Sequence, residues 1–331
     1  MTIQYYDWPI KDGHLPTPQE LLEIYDSGWP GAPFDEAEDD ALFGEGIVQT
    51  FRDACPHLAG LHERADRQVV PLFLSLVEVE RRQGLPMLFG DERQPYGNCV
   101  ARGSQHARAV TNAVEIVIGG EAEVYKRPAW ESTYRGRGHR GHGMNPAIAA
   151  RIDHELGFLW RRRYAFADLT AQNATFGRGQ GHSRAERAEM VNHRVGRWVR
   201  PQTGDEALDL FAAGYACHSG QNVGFESRPN SQGVHRVRGR WNHDMASVGY
   251  DLSREVWPVD VVFVPNSWGD FNTQPESHFR QRNWPRIPGM IVVRLEDWVR
   301  WFVGSRSIFF YCDIQGIPAK NLPDWGSHAY L

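Results

Sequence analysis

Gly97-Asn98-Cys99-Val100-Ala101 opens the stretch that decides the fold. Behind it Val100, Gly103, Ala107, Val110, Val114 and Val117 recur at steps of three and four, the period of one buried helix face. Asn98 stands where an N-cap belongs, so the spacing predicts a long helix beginning at Cys99. A thiol in that position gains from the helix N-terminus, which favours the thiolate, its nucleophilic form. Gly97 in front of it allows a ligand to approach the backbone closely. Alone, such a cysteine is more often a small buried residue, and the case for a nucleophile rests on what lies further along the chain.

Upstream, Thr17-Pro18-Gln19-Glu20 is a capping box with proline at the first helical position, opening a short helix through Leu21, Leu22 and Ile24. A Gly/Pro-rich turn, Gly28 to Pro33, follows, and then an acidic run, Asp35 to Asp40, which reads as a solvated loop or as a strand docked over a basic cleft. Val69 to Arg82 is apolar enough for a helix or a buried strand and stops at Gly84-Leu85-Pro86. We therefore expect a leading segment, residues 1–88, ahead of a main domain, residues 89–331.

Downstream, Asn145 as cap, Pro146 at the first position, Ile148, Ile152 and Leu156 on one face and Gly157 as stop predict a second helix. A third runs from near Thr203 through Leu208 and Phe211 to Gly214. After about residue 230 the character changes to strands: Trp257 to Val264, Met290 to Val293 and Ser307 to Tyr311 are rich in branched and aromatic residues. Helices first and strands later predict an α+β fold, a helical half and a β-rich half with a cleft between them.

A partner for the thiol stands in Trp241-Asn242-His243-Asp244-Met245-Ala246-Ser247-Val248-Gly249-Tyr250, where the residues after His243 read as a strand that ends at a glycine. One strand later comes Val262-Phe263-Val264-Pro265-Asn266-Ser267-Trp268-Gly269. An asparagine oxygen accepts an imidazole N–H and holds the ring toward a thiol, and Trp268 is near enough in sequence to shield that bond from water.

These three blocks, in this order, resemble those of the papain-like cysteine peptidases. His243 follows Cys99 by 144 residues and Asn266 follows it by 167, against about 130–150 in that family. The surplus suits a loop insertion between two strands. The resemblance spans about residues 85 to 315 and implies Cys99 as nucleophile, His243 as acid/base and Asn266 as the group that orients it. It also implies a glutamine six residues before the nucleophile to hold the oxyanion. Here that position is Arg93, so Gln94, one residue later, takes the role. Val100 replaces the usual aromatic after the nucleophile, and the family's disulfide-rich surroundings are absent. Arg135-Gly136-Arg137-Gly138-His139-Arg140-Gly141-His142-Gly143-Met144 stands where the family has a glycine-rich strip, which implies Gly136, Gly138, Gly141 and Gly143 as backbone partners of an extended substrate. Read from its residues alone, the same stretch also allows an HxxH metal pair, His139 and His142, without a nearby carboxylate or cysteine, or an arginine–glycine segment for nucleic acid.

A net charge of −5 offers no field for nucleic acid or an anionic membrane. Cys55, Cys99, Cys217 and Cys312 are scattered without CxxC spacing, so we expect neither a zinc ribbon nor a disulfide scaffold, and Cys55, Cys217 and Cys312 read as small buried residues. His218, His235 and His278 read as surface or structural histidines. The N-terminus lacks the pattern of a signal peptide, and no run reaches about 18 apolar residues. The expectation is a peptidase with a polypeptide substrate, no cofactor or metal, and no nucleic-acid or membrane partner, made in the cytoplasm and compatible with a virion. The alternatives are a papain-fold amidase acting on peptidoglycan, a transamidation enzyme, or a structural binding platform. The first 88 residues resemble a prosegment by position.

Overall fold

Seventeen consecutive residues of the Cys99 helix, Cys99 to Glu115, are buried, which requires packing on every side. A computed structural model describes residues 16–27, 31–33, 35–64, 66–119, 124–271 and 276–314. In chain order, helices α1 (Pro18–Asp26) and α2 (Glu36–Gly44) lead to β1 (Val48–Thr50), α3 (Phe51–Ala54), α4 (Leu61–Arg64), β2 (Val69–Val70), α5 (Phe73–Arg82), α6 (Leu88–Asp91) and the Cys99 helix, α7 (Cys99–Val117). The ribbon of β3 (Pro128–Ala129) and β4 (Leu159–Trp160) encloses α8 (Trp130–Arg135) and α9 (Pro146–Glu155). Then come β5 (Val195–Arg200), a helix at Gly204–Ala212, β6 (Cys217–Gln221), β7 (His243–Ser247), β8 (Tyr250–Asp251), β9 (Val261–Pro265), β10 (Met290–Arg294) and β11 (Ile308–Ile314). The architecture is α+β: α7 packs against the helices α5, α8 and α9 and against the strands β6, β7 and β11.

One sheet has the order β1-β5-β11-β6-β7 and a second β10-β9-β8-β2. They meet where β7 ends, because Val248 N–H donates to Phe263 O at 2.9 Å and Phe263 N–H to Gly249 O at 2.9 Å. Gly249 has φ +120°, and a Cβ there would lie 1.9 Å from Val70 O, so only glycine allows β2 to close on this corner. The corner sets His243, at the start of β7, against Asn266, just past β9.

Several polar positions on α7 are paired within the fold. Arg102 Nη1 donates to Glu92 at 2.8 Å and to Gln105 at 2.9 Å, while Arg161 reaches the same carboxylate at 2.6 and 2.8 Å. Burial alone would raise the Glu92 pKa, but Arg161 and then Arg102 hold it well below the usual carboxylate range. Asp153 of α9 accepts from Ser104 at 2.9 Å, Arg108 at 3.1 Å and Thr133 at 2.7 Å. These bonds offset part of the cost of burying charge. They also fix the chain two residues before Gln94.

Several expectations change. The acidic run is helical from Glu36, because the Asp35 side chain accepts from Ala37 N–H and Glu38 N–H and acidic residues suit a first turn. Asp39 within it is buried, 3.5 Å from Arg200, and burial pushes its carboxyl up to about 7. Val69 to Arg82 divides into β2 and α5. The leading segment is not set apart from the sheets: β1 pairs in parallel with β5, and β2 pairs with β8. Among the described residues no helix is long and apolar enough to cross a membrane.

Candidate active site

Cys99 is the first residue of α7, and its sulfur accepts from the N–H groups of Val100 and Asp244. Asn98 precedes the helix as expected but makes no side-chain cap, and both its amide atoms are without a hydrogen-bond partner. His243 is fully buried, with Nε2 donating to Asn266 Oδ1 at 3.1 Å, which leaves Nδ1 as the acceptor nitrogen, without a hydrogen-bond partner. Trp268 lies against this imidazole with centroids 4.9 Å apart, and Trp241 packs on Trp268 at 4.8 Å. The His–Asn bond is therefore dry.

Gln94 is built in from both ends. Its N–H donates to Ser267 O at 2.8 Å, and its Oε1 accepts from Ser267 Oγ at 2.9 Å and Trp268 Nε1 at 3.2 Å. With the oxygen so occupied, the amide presents Nε2 as its donor.

Tyr25 of α1 receives it. The Gln94 Nε2 donates to the Tyr25 hydroxyl at 2.9 Å, and that hydroxyl hydrogen-bonds the Cys99 sulfur. The ring stacks on Trp268 at 5.1 Å and lies 4.7 Å from the His243 ring. Trp241 Nε1 fastens the end of α1 through Asp26 Oδ1 at 2.9 Å. Further along, Met144 N–H donates to Gly31 O at 3.2 Å and Ala32 N–H to Asn242 O at 2.8 Å, so the leading chain is tied to the segments just before α9 and β7. Sequence reasoning missed Tyr25; its only signal is its place beside Ile24 on the buried face of α1.

Burial sets the charge state of the group. It pushes the Cys99 thiol up to about 12, against the Tyr25 hydrogen bond that lowers it, and it depresses the His243 imidazole to about 3, against Asn266. The Tyr25 phenol is raised well above its ordinary range by the same burial. At neutral pH thiol, imidazole and phenol are all uncharged.

The glycines of 136–143 are not equivalent. Gly143 N–H donates to Gly97 O at 2.8 Å, two residues before Cys99, and the next residue, Met144, is bonded to Gly31. Gly136 instead packs on Ile152 and His182, Gly138 occupies a turn at φ +81°, and Gly141 O accepts from Arg137 Nε at 3.1 Å. His218, expected at the surface or in a structural place, is buried and bonded to Asp244 at 2.9 Å, directly beneath α7. His235 is buried too, its Nδ1 accepting from Val292 N–H at 3.1 Å, while His278 stacks on Trp257 at 5.7 Å. Among the described residues no group of three or more His, Cys, Asp or Glu is arranged to hold a metal ion.

No protein-family model matches the chain, and no curated protein matches its sequence. Solved structures similar to it include xylellain, a cysteine protease from Xylella fastidiosa, at 16% identity over 69% of this chain and 83% of that one, TM-score 0.45. Procathepsin B of Trypanosoma congolense is similar at 12% identity over 71% and 76%, TM-score 0.43. The proform of the ragweed pollen cysteine protease Amb a 11 is similar at 14% over 70% and 61%, TM-score 0.44. These likenesses are distant; the chemistry open to the Cys99 site follows from its own atoms.

Proposed function

We propose that the chain is a papain-like cysteine peptidase held latent by its own leading segment. The observation that carries this reading is the Tyr25 hydroxyl, bonded at once to the Cys99 sulfur and the Gln94 amide. A carbonyl oxygen turning into an oxyanion would need that same place, between Gln94 Nε2 and the Cys99 backbone N–H. With Tyr25 displaced, the Cys99 sulfur attacks the carbonyl carbon of a polypeptide, and His243 Nδ1 takes the thiol proton and delivers it to the leaving amine. His243 then activates water to release the acyl group. Asn266 holds the ring through Nε2, and Trp268 keeps that bond dry. The Gly143–Met144 backbone binds extended substrate in place of Gly31. The cover proper is α1 through Ala32, a short part of the first 88 residues.

One observation favours a second reading, a binding platform without turnover: the cleft is already filled by the chain itself. The test is hydrolysis of an unfolded protein by Tyr25→Ala, with Tyr25→Ala/Cys99→Ala as control. Cleavage that disappears in the control supports the peptidase. Alkylation of Cys99 in Tyr25→Ala without any cleavage overturns it and leaves the platform.

A further inference from the structure

Two of the cysteines outside the site meet, although 257 residues separate them. Cys55 closes α3, its N–H donating to Phe51 O at 2.8 Å. Cys312 lies in β11 where the pairing with β5 slips, a bulge that leaves one residue of the strand out of register. The Cys55 and Cys312 side chains are hydrogen-bonded to each other. Arg197 of β5 completes the group: its Nη1 donates to Ala54 O at 3.0 Å, and its side chain hydrogen-bonds the Cys55 sulfur. Tyr215 is near enough for both thiols to act on its phenol. Cys55 is buried, Cys312 is half-buried, and neither is in a disulfide.

We propose that Cys55 and Cys312 form a reversible disulfide site that is oxidised by a hydroperoxide. The hydrogen bond from Cys312, helped by Arg197 and opposed by burial, lowers the pKa of Cys55, which makes Cys55 the attacking sulfur. Its thiolate attacks one oxygen of hydrogen peroxide; the O–O bond breaks, the departing oxygen takes a proton and leaves as water, and Cys55 becomes a sulfenic acid. The Cys312 sulfur then attacks Cys55, the S–S bond forms, the S–O bond breaks, and the hydroxyl leaves with the Cys312 proton as a second water. Two thiols and one peroxide thus give one disulfide and two waters, the cysteines losing the two electrons that the peroxide gains. The bond joins α3 to β11, the middle strand of the sheet that ends in β7.

The test uses the full chain treated with one molar equivalent of hydrogen peroxide, then digested without reductant and mapped by mass spectrometry. The expected result is one cross-linked peptide pair joining Cys55 to Cys312, with a loss of about 2 Da from the intact protein that dithiothreitol restores. In Cys312→Ser, Cys55 is expected to be trapped by dimedone as a sulfenic acid, with no cross-link. Oxidation of wild type that yields sulfinic acids or modified Cys99 without the Cys55–Cys312 pair overturns the proposal, and so does wild type left unoxidised. The wild-type mapping stands whether or not the variant folds.

Discussion

Replacing Tyr25 by alanine should convert Cys99 from an inert to a reactive thiol, and the size of the change follows from its burial. At pKa about 12 the thiol is ionised at pH 7 to about one part in 10⁵, whereas at the ordinary 9.0 it is ionised to about one part in 10². Uncovering the sulfur therefore raises the thiolate population about 10³-fold, before any gain from the helix N-terminus or from a protonated His243. The lost ring costs about 3–5 kcal/mol of stability, within the 5–15 kcal/mol or so of an ordinary domain, so the variant should fold with a lower Tm. The assay is alkylation with limiting iodoacetamide across pH 5 to 10, read site by site by mass spectrometry, with circular dichroism to verify folding. Wild-type labelling of Cys99 should keep climbing about tenfold per pH unit, while that of Tyr25→Ala should level off. Tyr25→Phe keeps the ring and should stay close to wild type. A folded Tyr25→Ala whose Cys99 reacts within about tenfold of wild type at pH 7 would refute the reasoning, because the burial of the thiol would then not depend on Tyr25.

In the Tyr25→Ala background, Asn266→Ala should lower kcat/KM about 10- to 100-fold through loss of the 3.1 Å bond that holds His243; an unchanged value removes Asn266 from the proposed mechanism. Gln94→Ala should lower kcat about 10²- to 10³-fold with little change in KM, the signature of an oxyanion donor. Gly103→Ala should cost about 1–3 kcal/mol of stability, read as a lower urea midpoint, because a Cβ there would lie 1.9 Å from Asp244 Oδ1, which His218 holds in place; a wild-type midpoint would mean that the pair yields. His62, bonded to Asp209 at 2.6 Å, has its pKa raised above 6.5 mainly by that bond. Its contribution is complete below pH 6.5 and fades as pH rises through the folded value, so the stability gap between wild type and His62→Gln should shrink from pH 6 to pH 9. A gap that ignores pH would rule out this titration.

How much was legible in the sequence depended on whether the signal was local. Cys99 after Asn98, His243 at the start of β7 and Asn266 just past β9 each stand at the edge of an element, so their places could be read. The short helices behind Thr17 and Asn145 were legible for the same reason: the Thr17 and Asn145 side chains accept from Glu20 N–H and Ala147 N–H. Gln94 was readable as a candidate, but only Ser267 and Trp268, more than 170 residues later, fix its oxygen and leave Nε2 to Tyr25. Tyr25 was not legible, because an aromatic on an amphipathic helix looks the same whether it faces a core or a cleft. The run Asp35 to Asp40 was read by its charge, whereas the Asp35 cap and the distant Arg200 decided its structure. Cys55 and Cys312 meet only through sheet pairing, which no spacing rule encodes.

On the proposed reading α1 covers the site, and only four residues join Asp26 to Gly31, which has a kinetic consequence. A cover joined to its own cleft by so few residues meets it at an effective concentration of order millimolar or above. Closure is then a first-order event that dilution cannot reverse and that competing substrate displaces poorly. A single cut between Asp26 and Gly31 would make re-covering bimolecular and sensitive to dilution. Because β1 and β2 are woven into the two sheets, the released piece would be α1 and the residues before it, with the rest of the chain keeping its place.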